Sequence, residues 1–165
     1  MTEKQRFSLQ KVIKALPDDC RKSYLEIAEY AVSLGYMPVI KGSREVYADF
    51  TKSKVKRTIL KINTNHKFLG LAIKFYAKPI YTGIFQEAIV ARLAYWNKLG
   101  YEARCFGCGK CDGTHGYPCT LPNGKQGFLC GFGVISLPTF RPENIQEVKD
   151  ALKEQDAFYL QQASQ

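Results

Sequence analysis

Apolar residues recur along this chain at helical spacing in four segments, with stretches of two-residue alternation between them. The helical segments are 7–16, which is predicted to be a short helix or an arm, about 17–34, 83–99, and a last helix that opens at Pro142. Gly35 and Gly100 follow the second and third segments, and glycine readily takes the left-handed conformation that ends a helix. Three full helices are therefore predicted.

The two-residue alternation predicts strands that bury one face of a sheet. These strands cover 36–40, 45–51, 57–63, 68–76 and 128–137. Short polar turns join the middle three, which is typical of an antiparallel meander with one buried face. Asn123-Gly124 indicates a two-residue hairpin turn before the last strand. The pattern predicts an α+β fold, with an antiparallel sheet of about four to six strands and three helices mainly on one face.

Length and composition are those of one domain with its own core. The chain has 165 residues, of which 45% are hydrophobic and 13% aromatic. A chain of this size does not need a metal ion in order to fold. No linker or shift in composition divides it, so we predict a single domain over residues 1–165 with a Cys-rich insertion at about 105–130.

Cysteines are concentrated in that insertion. Cys105, Cys108, Cys111 and Cys119 fall within fifteen residues, and Cys130 follows one hairpin later. Two thiolates separated by two residues on a tight turn reach the same metal ion, and zinc is routinely held by four of them. The cluster predicts a metal site that orders this segment of the chain, since the core lies elsewhere.

The first pair of cysteines lies in a short recognisable turn. The run Cys105-Phe-Gly-Cys108-Gly-Lys110 resembles the knuckle of zinc-ribbon proteins, C-x-x-C-G-[KR]. The resemblance covers only these six residues, and it implies a local metal-binding turn. A zinc ribbon has a second such knuckle, which this chain lacks.

The predicted ligands are Cys105 and Cys108 with two of Cys111, Cys119 and Cys130. If the Asn-Gly turn has two central residues, Cys119 and Cys130 become diagonal neighbours on one face of the hairpin, close enough to share an ion. His115 is an alternative ligand, although a solvated loop histidine is the favoured interpretation.

Zinc is the favoured metal, with an iron–sulfur cluster as the alternative. Cys105, Cys108 and Cys111 have the C-x2-C-x2-C spacing that opens the bacterial ferredoxin motif. In this chain the next cysteine comes after seven intervening residues instead of three. A third interpretation has no metal, and the cysteines are then buried or redox-active thiols.

The excess of positive over negative charge lies entirely in the first half of the chain. Residues 1–80 carry sixteen Lys or Arg and seven Asp or Glu, whereas residues 81–165 carry eight of each. A basic half of the chain suggests an anionic partner such as nucleic acid. The alternatives are a solvated lysine surface, a small ligand or a protein partner. The residues predicted to contact that partner are Lys52, Lys54, Lys56, Arg57, Lys61 and Lys74.

No catalytic site is predicted from the sequence. His115 lies close in sequence to Cys111 and Cys119, but both are predicted metal ligands, and His66 has no evident partner. The paired carboxylates look like helix-start and solvated charges. The chain shows no secretory signal and no apolar stretch long enough for a membrane span. We therefore predict a cytoplasmic protein with reduced thiols. Its predicted function is that of a metal-stabilised binding domain, with a thiol or iron–sulfur redox protein as the alternative.

Overall fold

A computed structural model describes residues 1–42, 46–64, 70–78, 81–100, 115–121 and 123–164 of the chain. The fold is α+β, as predicted. Its helices are α1 (Glu3–Lys14), α2 (Asp18–Ser33), α3 (Gly83–Lys98) and α4 (Ile145–Gln162). Its strands are β1 (Met37–Lys41), β2 (Tyr47–Lys52), β3 (Arg57–Asn63), β4 (Gly70–Ile73), β5 (Gly116–Thr120), β6 (Gln126–Cys130) and β7 (Ile135–Ser136).

The strands form one large antiparallel sheet and one separate hairpin. The large sheet has the order β1-β2-β3-β4-β7, and β5 pairs with β6 alone. Helices α1, α2 and α4 contact the strands β1 to β3. The predicted meander is therefore confirmed, with β7 added at its edge and the hairpin set apart.

Both faces of the central strands are buried, whereas the sequence predicted one buried face. Leu60 and Ile73 pair with each other and point to one side, and both are inaccessible to solvent. Ile59 points to the other side, since neighbours in a strand alternate, and it is equally buried. A polar side chain that points to this second face can therefore be buried.

The first segment is a full helix of the core. Thr2 and Gln5 form a capping box at the start of α1, which satisfies backbone N–H groups that otherwise lack partners. At its other end, Arg21 of α2 donates hydrogen bonds to the carbonyls of Lys14 and Leu16 at 2.7 and 2.8 Å. These contacts join α1 to α2, so the alternative of a loose arm is wrong.

The other predicted helices are confirmed to within about two residues, apart from the start of α4. Gly35 and Gly100 have φ angles of +90° and +73°, as predicted for helix-ending glycines. The last helix begins with a short 3-10 turn, Pro142–Asn144, before α4.

The predicted strand over 128–137 is two strands in different sheets. β6 ends at Cys130, a turn follows, and β7 then joins the large sheet. At the turn, a Cβ on Gly131 would lie 2.6 Å from the Tyr76 ring and 2.9 Å from the His115 carbonyl oxygen. The lack of a side chain at Gly131 therefore lets the chain pass close to the core where it changes sheets.

Helix α4 is held to the sheet by polar as well as apolar contacts. Lys52 of β2 donates to Asp156 of α4 at 2.7 Å, and the two side chains are only 15% and 10% exposed. Next to this pair, Gln155 accepts a hydrogen bond from the backbone N–H of Ala77 at 3.0 Å. The sheet and its last helix are thus joined through charged and amide groups in an interior position.

Candidate metal centre

The structure places three of the predicted metal ligands. Cys105, Cys108 and Cys111 lie outside the described residues, whereas Cys119, Cys130 and His115 lie in or beside the β5–β6 hairpin. None of the described cysteines, which are Cys20, Cys119 and Cys130, forms a disulfide. Within the described ranges, no three His, Cys, Asp or Glu side chains come together as a metal site.

The hairpin register differs by one residue from the prediction. Leu121 and Lys125 close the turn through a 2.8 Å backbone hydrogen bond, so three residues lie between them. Cys119 consequently pairs with Gly127 and not with Phe128, and Cys130 pairs with Gly116. Since paired residues share a face and neighbours alternate, the two cysteines point to opposite faces, and the predicted diagonal pair is wrong.

Cys119 points into the protein. Its side chain is 8% exposed, and burial raises the pKa of its thiol. It borders a cavity of about 310 Å³ between the hairpin and α3, together with Tyr81. A buried thiol with a raised pKa stays protonated at neutral pH, so Cys119 packs as a small apolar side chain.

Cys130 points to the other face of the hairpin and is partly exposed. It borders a second cavity, of about 230 Å³, which is largely apolar and includes Trp96 and Phe132 in its wall. Phe132 is 62% exposed. A molecule or a chain segment that entered this cavity would therefore contact Cys130.

Lys74 is buried just after β4, although the sequence predicted it on a partner-binding surface. It is only 4% exposed, and its backbone N–H donates to the Ile59 carbonyl at 2.9 Å, at the end of β4. Burial and the nearby positive charge of Arg57 lower the pKa of Lys74 to about 8, and the charge of Cys130 opposes that change. Among the described residues, no carboxylate is within ion-pair distance of Lys74.

His115 is a core residue, so the interpretation as a solvated loop histidine is wrong. It is 9% exposed, and its ring stacks on Tyr76 at 5.8 Å and contacts Phe158 edge-on at 5.5 Å. The Nε2 atom lies 2.6 Å from the side-chain amide nitrogen of Gln162. This ring nitrogen is thus engaged in a hydrogen bond to α4.

Tyr117 anchors the hairpin to the rest of the protein. It is inaccessible to solvent, and its ring lies 4.8 Å from that of Phe75 and 5.5 Å from that of Tyr76. Its hydroxyl accepts a hydrogen bond from the backbone N–H of Phe75 at 3.4 Å. The hairpin that carries Cys119 and Cys130 is therefore fixed to the end of β4 by an aromatic cluster.

The six cations predicted to contact a partner have different environments. Lys54 and Lys56 are exposed in the turn between β2 and β3, and Arg57 is partly exposed. Lys52 forms an interior ion pair with Asp156. Lys61 lies 3.2 Å from Asp49 and is 33% exposed, and Lys74 is buried. Of these six cations, the two that are fully exposed both lie in the β2–β3 turn.

Comparison of the chain with protein-family models, with curated proteins and with solved structures finds no match. None of the helices in the described ranges is both long enough and apolar enough to cross a membrane.

Proposed function

We propose that this protein is a metal-stabilised binding domain whose Cys-rich segment holds one zinc ion through Cys105, Cys108, Cys111 and Cys130. The observation that supports this ligand set is the hairpin register, which separates Cys119 from Cys130. Cys119 is buried on one face, and Cys130 is partly exposed on the other. When Cys119 is removed from the five predicted thiols, four remain, the number that a closed structural zinc site uses.

A structural role fits the way the core is built. The core is formed mainly by the helices and the large sheet, and the hairpin adds Tyr117, Cys119 and Leu129 to it. The metal would act on the Cys-rich segment that precedes the hairpin. In this proposal, zinc orders that segment next to Cys130, in the reducing environment of the cytoplasm, where thiols remain available as ligands.

An iron–sulfur or thiol redox protein is the second candidate. It is favoured by the position of Cys130 beside an apolar cavity, which would give a redox partner access to a sulfur atom. The two candidates differ in colour, because iron–sulfur clusters absorb visible light and zinc does not. Protein purified anaerobically without chelator, and analysed for zinc, iron and visible absorbance, distinguishes them.

The ligand set is tested by single substitutions of cysteine by serine. We expect Cys108→Ser and Cys130→Ser to lose the bound zinc, because a site with one ligand missing binds the ion much less tightly. Cys119→Ser is the matched control from the same hairpin, and it is expected to keep one zinc per chain. Elemental analysis of the purified variants measures the stoichiometry.

The same variants test whether the metal orders only the Cys-rich segment or the whole fold. Cys108→Ser is expected to disorder the segment that carries Cys105, Cys108 and Cys111, while the hairpin, which Tyr117 anchors in the core, and the helical circular dichroism of the protein are retained. Complete unfolding of this variant would contradict a core that is independent of the metal. Loss of zinc from Cys119→Ser with retention in Cys130→Ser would contradict the proposed ligand set.

We further propose that the turn between β2 and β3 contacts an anionic partner, for which a single-stranded nucleic acid is the first candidate. Lys54 and Lys56 project there without an ion pair to any described residue. Lysines in such positions attract phosphates and displace condensed counterions. A small anionic ligand or an acidic protein would use the same charges.

Reversal of charge at this turn is expected to weaken binding. For Lys54→Glu/Lys56→Glu, we expect lower affinity for a mixed-sequence single-stranded oligonucleotide and a salt dependence reduced by about one unit of slope for each phosphate that the variant no longer binds. Fluorescence anisotropy at several salt concentrations measures both. Lys98→Glu/Lys153→Glu, which makes the same change in net charge at exposed positions elsewhere, is the control. Equal weakening in both double variants, or no binding at low salt, would exclude this turn.

A further inference from the structure

We infer that the cavity between α3 and the β5–β6 hairpin binds one unpaired base of a single-stranded nucleic acid. This inference rests on the proposed nucleic-acid partner and deepens it, because it adds a site for a base to the proposed contact with phosphates. The cavity has a volume of about 310 Å³, which is at the lower end of the range for ligand pockets in proteins.

The residues that border this cavity are uncharged. The chain carries 24 Lys or Arg and 15 Asp or Glu, yet none of these is among the described residues that border the cavity. Burial of a charged group without a counter-charge is costly. The cavity therefore suits an uncharged group such as a base, and the phosphates of a bound strand would remain outside it.

Hydrogen-bonding groups border the cavity on both of its walls. Gln86 of α3 and Gln126 of β6 are exposed residues of its border. The Nε2 atom of Gln126 lies 3.5 Å from the Thr120 hydroxyl oxygen, at the outer limit of a hydrogen bond, so a ligand can compete for this amide. A side-chain amide both donates and accepts, and glutamine is a usual partner of adenine. Adenine is therefore the first candidate for the base.

Apolar residues form the other part of the border. Ile89 and Leu93 of α3 are buried there, and Pro118 of β5 lies on the side of the hairpin. Bases that leave the stack are held by apolar or aromatic contact with their faces and by hydrogen bonds to their edges. A border of this kind fits a base better than a sugar, whose hydroxyl groups would need polar partners on every side.

The cavity lies at the same end of the large sheet as the β2–β3 turn. β4 is antiparallel to β3, and just after β4 the Lys74 N–H donates to the Ile59 carbonyl at 2.9 Å. The end of β4 therefore lies beside the start of β3, where the β2–β3 turn ends. The ring of Phe75, the next residue, lies 5.4 Å from that of Tyr81, which borders the cavity. A strand whose phosphates contact the turn is thus at the end of the sheet where the cavity lies.

The experiment separates the base from the phosphates. Oligoadenylate, an abasic oligomer of the same length and free adenosine are titrated into the protein, with fluorescence anisotropy for the oligomers and calorimetry for adenosine. Gln86→Leu/Gln126→Leu removes the two amides, and Val90→Trp fills the cavity from an exposed position of its border. Gln10→Leu/Gln161→Leu, at exposed positions elsewhere, is the control. Thermal unfolding checks that the variants fold, and whichever cavity variant folds decides the result.

We expect the wild-type protein to bind oligoadenylate about 10–100-fold more tightly than the abasic oligomer, the usual discrimination from a good contact with a base edge. Both cavity variants are expected to lose this difference and to keep the affinity and the salt dependence of the abasic oligomer, since the phosphate contacts are unchanged. Lys54→Glu/Lys56→Glu is expected to weaken both oligomers alike and to keep the difference between them.

Equal affinity of the wild-type protein for the two oligomers would overturn the inference and leave the proposed contact at the β2–β3 turn standing. A difference that survives in the cavity variants would overturn it as well, because the base would then bind elsewhere. Adenosine that binds as tightly as oligoadenylate would identify a free nucleoside as the ligand and overturn the role in strand binding. Absence of binding by either oligomer at low salt would remove the proposed nucleic-acid partner, and the role of the cavity with it.

Discussion

Asp156→Asn is expected to lower the free energy of unfolding by about 3–5 kcal/mol, the usual cost of breaking a buried ion pair from one side. The carboxylate accepts a hydrogen bond from Lys52 at 2.7 Å, with the two side chains 15% and 10% exposed. The Lys52 ammonium also lies 5.2 Å from the centre of the Tyr36 ring. Asparagine keeps the volume of the side chain and leaves that ammonium without its counter-charge. Urea denaturation of the zinc-free protein measures the difference.

Two control variants test whether the cost of Asp156→Asn comes from the burial of its ion pair. Glu154→Gln breaks the ion pair of Lys78 and Glu154 on the same helix, whose side chains are 69% and 34% exposed, and it is expected to cost less than about 1 kcal/mol. Lys52→Met/Asp156→Leu removes both charges and is expected to cost less than Asp156→Asn alone. A cost for Asp156→Asn no larger than that for Glu154→Gln would contradict the interior ion pair.

Tyr117→Ala is expected to destabilise the protein by about 3–5 kcal/mol, as for other large aromatic residues of a core. The effect should be greatest in the hairpin, because Tyr117 connects β5 to Phe75 and Tyr76. We expect hydrogen exchange of residues 115–130 to accelerate and zinc binding to weaken, since Cys130 lies on the same hairpin. Exchange mass spectrometry and competition for zinc with a chromophoric chelator measure these changes.

Tyr117→Phe separates the ring from the hydroxyl. It keeps the aromatic packing but leaves the Phe75 N–H without the acceptor that it has at 3.4 Å, so a cost of about 1–3 kcal/mol is expected. The hairpin should remain protected from exchange in this variant. If Tyr117→Ala left the exchange of the hairpin unchanged, another contact would have to hold it in place.

The sequence predicted those elements whose local signals agree with their surroundings. The apolar stripes of α2 and α3 end at Gly35 and Gly100, and both glycines have the backbone conformation that the prediction requires. The strand Arg57–Asn63 was predicted with its observed limits. In these elements the period of the apolar residues and the chemistry of the ends lead to the same structure.

The two errors in the strands have different causes, a local turn and a distant contact. Asn123-Gly124 favours a two-residue turn, yet the backbone bond between Leu121 and Lys125 makes a longer one, and that single residue reverses which face Cys130 occupies. The strand predicted over 128–137 breaks at Gly131, against Tyr76. No local pattern reports such a contact, since its partner lies far away along the chain.

Charged residues were the least predictable part of the candidate site. Lys52, Lys54 and Lys74 look alike in a sequence, as three members of a basic region. In the structure Lys52 is paired inside the protein with Asp156, Lys54 is exposed and Lys74 is buried. Burial of both sheet faces, which alternation did not predict, is the physical reason for the difference between Lys54 and Lys74.

The pairing of β4 with β7 has a consequence for how this architecture can be altered. Ile73 lies opposite Ile135, so the chain leaves the large sheet and comes back on the adjacent strand, about 5 Å away. Everything from Lys74 to Val134 is a detour with its two ends side by side. The detour also supplies buried side chains to the core, among them Phe85, Tyr117 and Leu129, so exchanging it for a short loop would keep the order of the remaining strands but would leave part of the core uncovered.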